Sequence, residues 1–180
     1  MGGYGSTRWD DHTRATTVEE SLTLSLKPLR TGLNAVADGR AARWGGTLQW
    51  SARGDVTATI AYVIERSSSG PIVRLVYTLT RRDGERIAHD DPVRVVATQP
   101  HYGGRRWWWI CPLVVNGRPC RRRVGKLYLP PGGRYFGCRH CHRLTYRSSQ
   151  ESRNPDHLAR QLGLDRDGAR LLLRRWNRGG

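Results

Sequence analysis

Apolar and polar residues alternate along much of the first hundred positions, which is the pattern of strands with one buried face. The alternating segments are Leu22–Leu26, Leu48–Trp50, Val56–Ile64, Val73–Leu79 and, as a continuation, Val93–Thr98. Turn residues separate neighbouring segments at Ser67–Pro71 and at Asp83-Gly84, the latter a hairpin signal. The pattern therefore predicts an antiparallel β-structure.

This first half lacks the usual catalytic signatures. Residues 1–100 contain no glycine-rich phosphate loop, no Gly-x-Ser-x-Gly motif and no group of carboxylates with histidine. The nearest candidate is Asp90-Asp91 after His89, but Pro92 follows, and this order predicts a solvated turn. We therefore expect residues 1–102 to be a structural scaffold.

Basic residues are concentrated in the second half of the chain. The net charge is +16, and residues 1–100 carry 13 basic and 11 acidic side chains, against 18 and 4 in residues 101–180. Between Gly104 and Arg147 there are 11 basic residues and no acidic one. Codon bias can favour arginine over lysine, but it does not explain the missing acids. The stretch therefore favours a polyanionic partner.

Four cysteines lie inside this basic stretch. Eight residues separate Cys111 from Cys120, and two separate Cys138 from Cys141. Reduced thiols in two pairs 15 to 20 residues apart are typical of a structural Zn²⁺ site. The wide first pair contains Asn116-Gly117, a strong signal for a tight hairpin that would bring its two cysteines together.

Two histidines beside the last cysteine leave an alternative open. His140 and His142 flank Cys141, and either could replace Cys120 as a ligand if the first loop does not close. An exposed histidine in a basic turn is the simpler interpretation.

The segments that lead into and out of the cysteine pairs alternate as strands do. They are Arg106–Ile110, Arg122–Leu129 and Arg134–Gly137, with a Pro130–Gly133 turn. This is the layout of a zinc ribbon. The strings GGRRWWWICP and KLYLPPGGRYFGCRHCHRLTYRSSQES resemble a group of poorly characterised bacterial and phage-borne zinc-ribbon proteins over residues 103–152. Members usually have a shorter first cysteine loop, and the resemblance implies a zinc ribbon but no particular activity.

Tryptophans accompany the basic residues. On a strand Trp107 and Trp109 face one way and Trp108 the other, so we expect at least one indole in the core. An exposed Trp108 beside arginine could stack on a base, although covering a small core is the more ordinary role. The candidate nucleic-acid contacts are Arg105, Arg106, Trp108, Arg121, Arg122, Arg123, Lys126, Arg139 and Arg143.

The last thirty residues have helical spacing. Asn154-Pro155 can begin a helix, Gly163 interrupts the pattern, and Asp165 can cap a second helix. Two helices packed on the rest of the protein are the main expectation, and a DNA-reading helix-turn-helix or a frayed basic tail are the alternatives.

Length indicates the number of domains, and hydropathy indicates the cellular location. The 180 residues suffice for one domain or two small ones. The longest apolar run, Trp107–Val115, contains Pro112 and is too short to cross a membrane, and the N-terminus lacks the apolar core of a secretion signal. We expect a cytoplasmic protein with no membrane partner.

These observations predict a mainly β protein: an antiparallel scaffold at 1–102, a four-cysteine zinc ribbon at 103–147 and a helical basic tail at 148–180. The predicted function is non-enzymatic binding of nucleic acid, DNA in preference to RNA, with Zn²⁺ as cofactor and no small-molecule substrate. The alternative is an assembly module with a purely structural zinc and an acidic protein partner. A nuclease is disfavoured because four cysteines leave the metal no open position for water.

Overall fold

The structure is a computed structural model that describes residues 15–81 and 83–151, together with residues 162, 163, 165 and 168. It forms two compact units. One is Val18–His142, and the other combines Met1–Thr17 with Arg143–Gly180.

The Val18–His142 unit is built mainly of antiparallel strands. Its elements are β1 (Leu22–Ser25), α1 (Arg30–Ala37), β2 (Arg43–Ala52), β3 (Asp55–Ser67), β4 (Gly70–Thr80), β5 (Arg86–Thr98), β6 (Arg106–Ile110), β7 (Val114–Val115), β8 (Arg118–Pro119), β9 (Arg123–Val124) and β10 (Lys126–Leu129). Six strands form one sheet in the order β2-β3-β4-β5-β6-β9, while β1 pairs with β10 and β7 with β8. The mainly β, antiparallel prediction is confirmed.

One face of the six-stranded sheet forms the hydrophobic core. Alternate residues of β3 to β6 point into it, and α1, β1 and β10 contribute the rest, as the alternation predicts. Its fully buried members include Ile64, Val73, Leu75, Trp109, Leu127 and Leu33. We call this the inner face and the opposite one the outer face.

Helix α1 was not predicted from the sequence. It is only eight residues long, contains Gly32 and has no side-chain cap at its start, so the usual helix signals are weak. The signal that could have revealed it is the spacing of the buried residues Leu29, Leu33 and Val36. Gly32 is needed because a Cβ there would lie 2.4 Å from Cδ1 of Trp44. Arg66 donates hydrogen bonds to the carbonyls of the last turn.

The turn predicted at His89–Pro92 is wrong. These residues lie inside β5, where Asp91 pairs with Leu75 and Pro92 with Arg74 of β4. Strand β6 pairs with β5 only from Val95 onward, so at Pro92 one side of β5 has no neighbour among the described strands. A proline without an N–H is tolerated at such an edge.

The expected boundary between residues 102 and 103 falls inside the Val18–His142 unit. Strand β6 pairs with β5 in the six-stranded sheet, and Trp107 and Trp109 are buried in the common core. The turn residues at 99–104 therefore connect two strands of one sheet. Turn composition alone does not distinguish a hairpin connection from a linker.

The second unit has few described residues. Thr17 and Thr145 form a parallel bridge, and Gln150 in α2 (Arg147–Glu151) donates a hydrogen bond to the carbonyl of Ala15. The carboxylate of Asp165 accepts a hydrogen bond from the N–H of Gly168, but most of the second helix that Asp165 was expected to cap lies outside the described residues. The predicted start at Asn154-Pro155 lies outside the described residues.

Candidate functional site

A miniature hairpin closes the first cysteine loop. In β7 and β8, Val115 pairs with Arg118, and Asn116 and Gly117 have φ angles of 51° and 72°. Positive φ at both central residues defines the type I′ turn that Asn-Gly favours. The N–H of Cys120 then donates to the carbonyl of Leu113 at 2.8 Å. The predicted hairpin is confirmed, and it returns Cys120 to the start of the loop.

The second cysteine pair lies in a tight turn after the β10 region. Tyr128 and Gly137 form an antiparallel bridge that positions Cys138, which is buried, as is Cys111 at the end of β6. The N–H of Cys141 donates to Sγ of Cys138 at 3.4 Å, and the N–H of Cys138 donates to Sγ of Cys111 at 3.3 Å. A hydrogen bond from the backbone of the second loop to a sulfur of the first therefore joins the two loops.

The four predicted cysteines form one cluster. All four Sγ atoms lie within 4.8 Å of one another. Two of the separations, Cys111 to Cys141 and Cys120 to Cys138, are 3.8 Å. A tetrahedron with metal–sulfur bonds of about 2.3 Å has edges of about 3.8 Å. This arrangement can bind one metal ion, and it leaves the four cysteines free of disulfides.

Burial raises the pKa of a thiol in the cluster, whereas backbone hydrogen bonds to its sulfur lower it. Burial raises the pKa of Cys111 to about 11 and raises the pKa of Cys141. For Cys120, hydrogen bonds from the N–H of Arg122 and from neighbouring thiols outweigh burial and lower the pKa. The thiols of Cys111 and Cys141 therefore resist ionisation unless a cation compensates their charge.

Neither histidine belongs to the cluster. His140 is exposed, and His142 is half-buried. Burial lowers the pKa of His142, while the backbone carbonyls of Tyr135 and Tyr128 act in the opposite direction. Of the described residues, the four cysteines are the one group that could hold a metal ion, so Cys120 completes the set as predicted.

Trp108 lies on the outer face of the six-stranded sheet, between two arginines. Its neighbours Trp107 and Trp109 are buried on the inner face, as the alternation predicts. The guanidinium carbon of Arg106 lies 4.2 Å from the centre of the Trp108 ring, and that of Arg123 lies 5.5 Å away. The indole N–H donates to Thr98 at 2.9 Å, which fixes the ring. We call Arg106, Trp108 and Arg123 the Trp108 platform.

Arg94 extends this surface, and it was not among the predicted contacts. Val95 pairs with Trp109, so Arg94 lies on the same outer face as Trp108. The signal was present in the Val93–Thr98 alternation, which places Arg94 on the polar side.

Acidic groups on the outer face are engaged elsewhere. Arg74 forms a two-pronged contact with Asp90 and lies 3.8 Å from Glu65. Across the described part of the chain, no acidic side chain pairs with Arg94, Arg106 or Arg123. The platform therefore has uncompensated positive charge.

The structure does not bring every predicted basic residue to this surface. Arg105 pairs with Asp38, whose pKa the guanidinium groups of Arg105 and Arg40 hold below its usual value. Arg121 and Arg122 are exposed in the loop between Cys120 and β9. Lys126 is exposed on β10 and pairs in register with Ser25 of β1. Arg139 lies in the Cys138–Cys141 turn, and Arg143 belongs to the other unit.

Comparison with known proteins gives no relative. No protein-family model, no curated protein and no solved structure matches the chain. Within the described residues, no helix is both long and apolar enough to cross a membrane.

Proposed function

We propose that this protein binds nucleic acid without catalysing a reaction, and that a Zn²⁺ ion held by Cys111, Cys120, Cys138 and Cys141 maintains the binding surface. The observation that carries the proposal is the Trp108 platform, an indole flanked by two guanidinium groups with no acidic partner among the described residues. Aromatic rings beside arginines favour stacked bases and phosphates.

The zinc part rests on the chemistry of the donors. Four clustered thiols fit a closed structural zinc site, and such an ion would supply the charge that stabilises four thiolates in a small volume. Cys111 directly follows β6, the strand that carries Trp108. The ion would thus fix the end of the strand that presents the platform.

Metal analysis tests this part. We expect one zinc per chain and an X-ray absorption spectrum with four sulfur neighbours at about 2.3 Å. Cys138→Ser should lose most of the zinc, whereas His140→Ala, which alters an exposed neighbour outside the cluster, should retain it. A folded preparation without metal, or loss of zinc from the histidine variant, would contradict the assignment.

The nucleic-acid part predicts a characteristic salt dependence. If about five basic side chains contact phosphates, log affinity should fall with log salt at a slope of roughly −3.5 for a single strand or −4.5 for a duplex. Arg106→Gln with Arg123→Gln should flatten the slope by roughly 1.4 to 1.8. DNA should be titrated first, and RNA of the same sequence should be titrated in parallel for comparison.

A matched control is available on the same sheet. Arg43→Gln with Arg86→Gln removes the same charge from β2 and β5, away from the platform and the cysteines, and should leave the slope nearly unchanged. If the wild-type protein shows no nucleic-acid binding at about 50 mM salt that weakens as the salt concentration rises, the proposal fails. Binding of an acidic protein through the basic surface would then be the function to pursue.

A further inference from the structure

An open groove of about 590 Å³ is lined by helix α1 and by the base of the β5–β6 hairpin. Arg30 and Asn34 of α1 and Asp38 at its end contribute side chains to the lining. These three recur at intervals of four residues, which places them on one face of the helix. The end of β5, at residues 97–99, and Arg105 line the groove as well. We call it the Asn34 groove.

The side-chain amide of Asn34 has a fixed orientation in this groove. The indole N–H of Trp107 donates a hydrogen bond to Oδ1 of Asn34 at 2.9 Å. An indole nitrogen is only a donor, so the amide oxygen must face Trp107 and the NH2 group must point away from it. That NH2 group has no hydrogen-bond partner among the described residues. It is therefore a donor that a ligand in the groove can use.

The charges of the groove favour an anion. Its charged lining residues are three arginines, Arg30, Arg40 and Arg105, and one acid, Asp38. Asp38 pairs with Arg40 and Arg105. Each of these guanidinium groups contacts it through one nitrogen, so further N–H groups remain on both. Arg30 is exposed and forms no ion pair within the described residues. An anion would therefore meet an excess of positive charge.

The Asn34 groove borders the Trp108 platform. Thr98 lines the groove, and its hydroxyl accepts the hydrogen bond from the Trp108 indole. Arg105 also lines the groove and directly precedes Arg106 of the platform in the chain. A polynucleotide strand that leaves the platform across Thr98 therefore meets the groove next.

We propose that the Asn34 groove binds a phosphate group of the strand that lies on the Trp108 platform, with the phosphate oxygens accepting hydrogen bonds from the Asn34 NH2 group and from the guanidinium of Arg30. The proposal rests on the proposed function and extends its binding surface to helix α1. Neither Asn34 nor Arg30 is among the contacts that the sequence predicted. Hydrogen bonds from guanidinium and amide groups are an ordinary means of holding a phosphate. Arg40 and Arg105, which Asp38 holds in place, add to the positive potential of the groove.

Two variants of the full-length zinc-loaded protein test the groove by fluorescence anisotropy with a labelled oligothymidylate of about 12 nucleotides. Asn34→Asp keeps an oxygen for the Trp107 indole but replaces the free donor by a negative charge, and it should weaken binding about tenfold or more at about 50 mM salt. Arg30→Gln should flatten the salt dependence of log affinity by roughly 0.7, the value for one phosphate contact to a single strand. Arg86→Gln is the matched control, because it removes one exposed arginine at the opposite end of β5 from Thr98, and it should change neither quantity.

The outcomes separate this proposal from the proposed function. If the wild-type protein binds the strand and Arg30→Gln has the wild-type slope, the groove assignment is overturned and nucleic-acid binding stands. If the wild-type protein binds no strand, both are overturned. Should Asn34→Asp fail to fold, Arg30→Gln still decides, because its side chain is exposed. Thymidine monophosphate at about 1 mM should not displace the labelled strand; displacement would assign the groove to a free nucleotide and overturn the proposal.

Discussion

Gly137 occupies a position where even one added methyl group should damage the cysteine cluster. A Cβ at this residue would lie 2.1 Å from Cδ1 and 2.7 Å from Cγ of Leu113, and 2.9 Å from Nε2 of His142. Carbon atoms pack at about 3.5–4.0 Å, so Leu113 would have to move by more than about 1 Å. Rotation about χ2 would move Cδ1 but not Cγ, so relieving the Cγ contact requires a new χ1 rotamer of Leu113 or a shift of the loop backbone.

A shift of the loop backbone at Leu113 would reach the cysteines directly. The carbonyl of Leu113 accepts the hydrogen bond from Cys120, and its N–H faces the sulfur of Cys111. Overpacking of this kind costs about 1–3 kcal/mol. For a protein of this size Gly137→Ala should lower the Tm by about 2–12 °C. If the strain falls on the metal-bound state, zinc affinity should fall about 5- to 150-fold.

Competition with a chromophoric zinc chelator and differential scanning calorimetry measure the two effects. Gly125→Ala is the matched control, because a Cβ at Gly125 meets nothing within 4 Å and its φ is not among the positive values. If Gly137→Ala and Gly125→Ala show the same Tm and zinc affinity, the close packing of Leu113 against Gly137 is refuted.

Two further substitutions test particular contacts. Burial and, after it, the hydrogen bond to Asp91 raise the pKa of Tyr77. The folded protein therefore holds the hydroxyl proton more tightly than the unfolded chain does. The contribution of Tyr77 to the free energy of unfolding should persist below pH about 10 and decline above it. In urea unfolding across that range, Tyr77→Phe should show a shallower decline than the wild type, and parallel curves would contradict this. Gly117→Ala places a side chain at a φ of 72°, which should destabilise the hairpin by about 1–2 kcal/mol. Competition with a zinc chelator should then show weaker zinc binding. An unchanged zinc affinity would mean that the hairpin does not control the position of Cys120.

Local patterns in the sequence predicted most of the sheet. The strands around Ile64, Leu75 and Trp109 alternate cleanly because one face packs in the core and the other faces solvent. The Asn116-Gly117 turn was predictable because its φ angles depend on two adjacent residues. The four cysteines could be grouped from spacing alone, since their residue type already specifies the chemistry.

Contacts between distant residues could not be predicted in this way. Arg105 was expected at a nucleic-acid surface, yet it pairs with Asp38, 67 positions earlier in the chain. Pro92 looked like a turn because its place at the edge of β5 depends on where β6 ends.

Photocrosslinking tests the central claim, that nucleic acid is bound at the Trp108 platform. A single-stranded DNA carrying 4-thiothymidine is irradiated with the zinc-loaded protein at low salt, and the adducts are located by mass spectrometry after trypsin digestion. We predict that the main adduct lies on the peptide beginning at Trp107, at Trp108, and that it disappears with excess unlabelled strand. Competed adducts confined to peptides without Arg106, Trp108 or Arg123 would contradict the account.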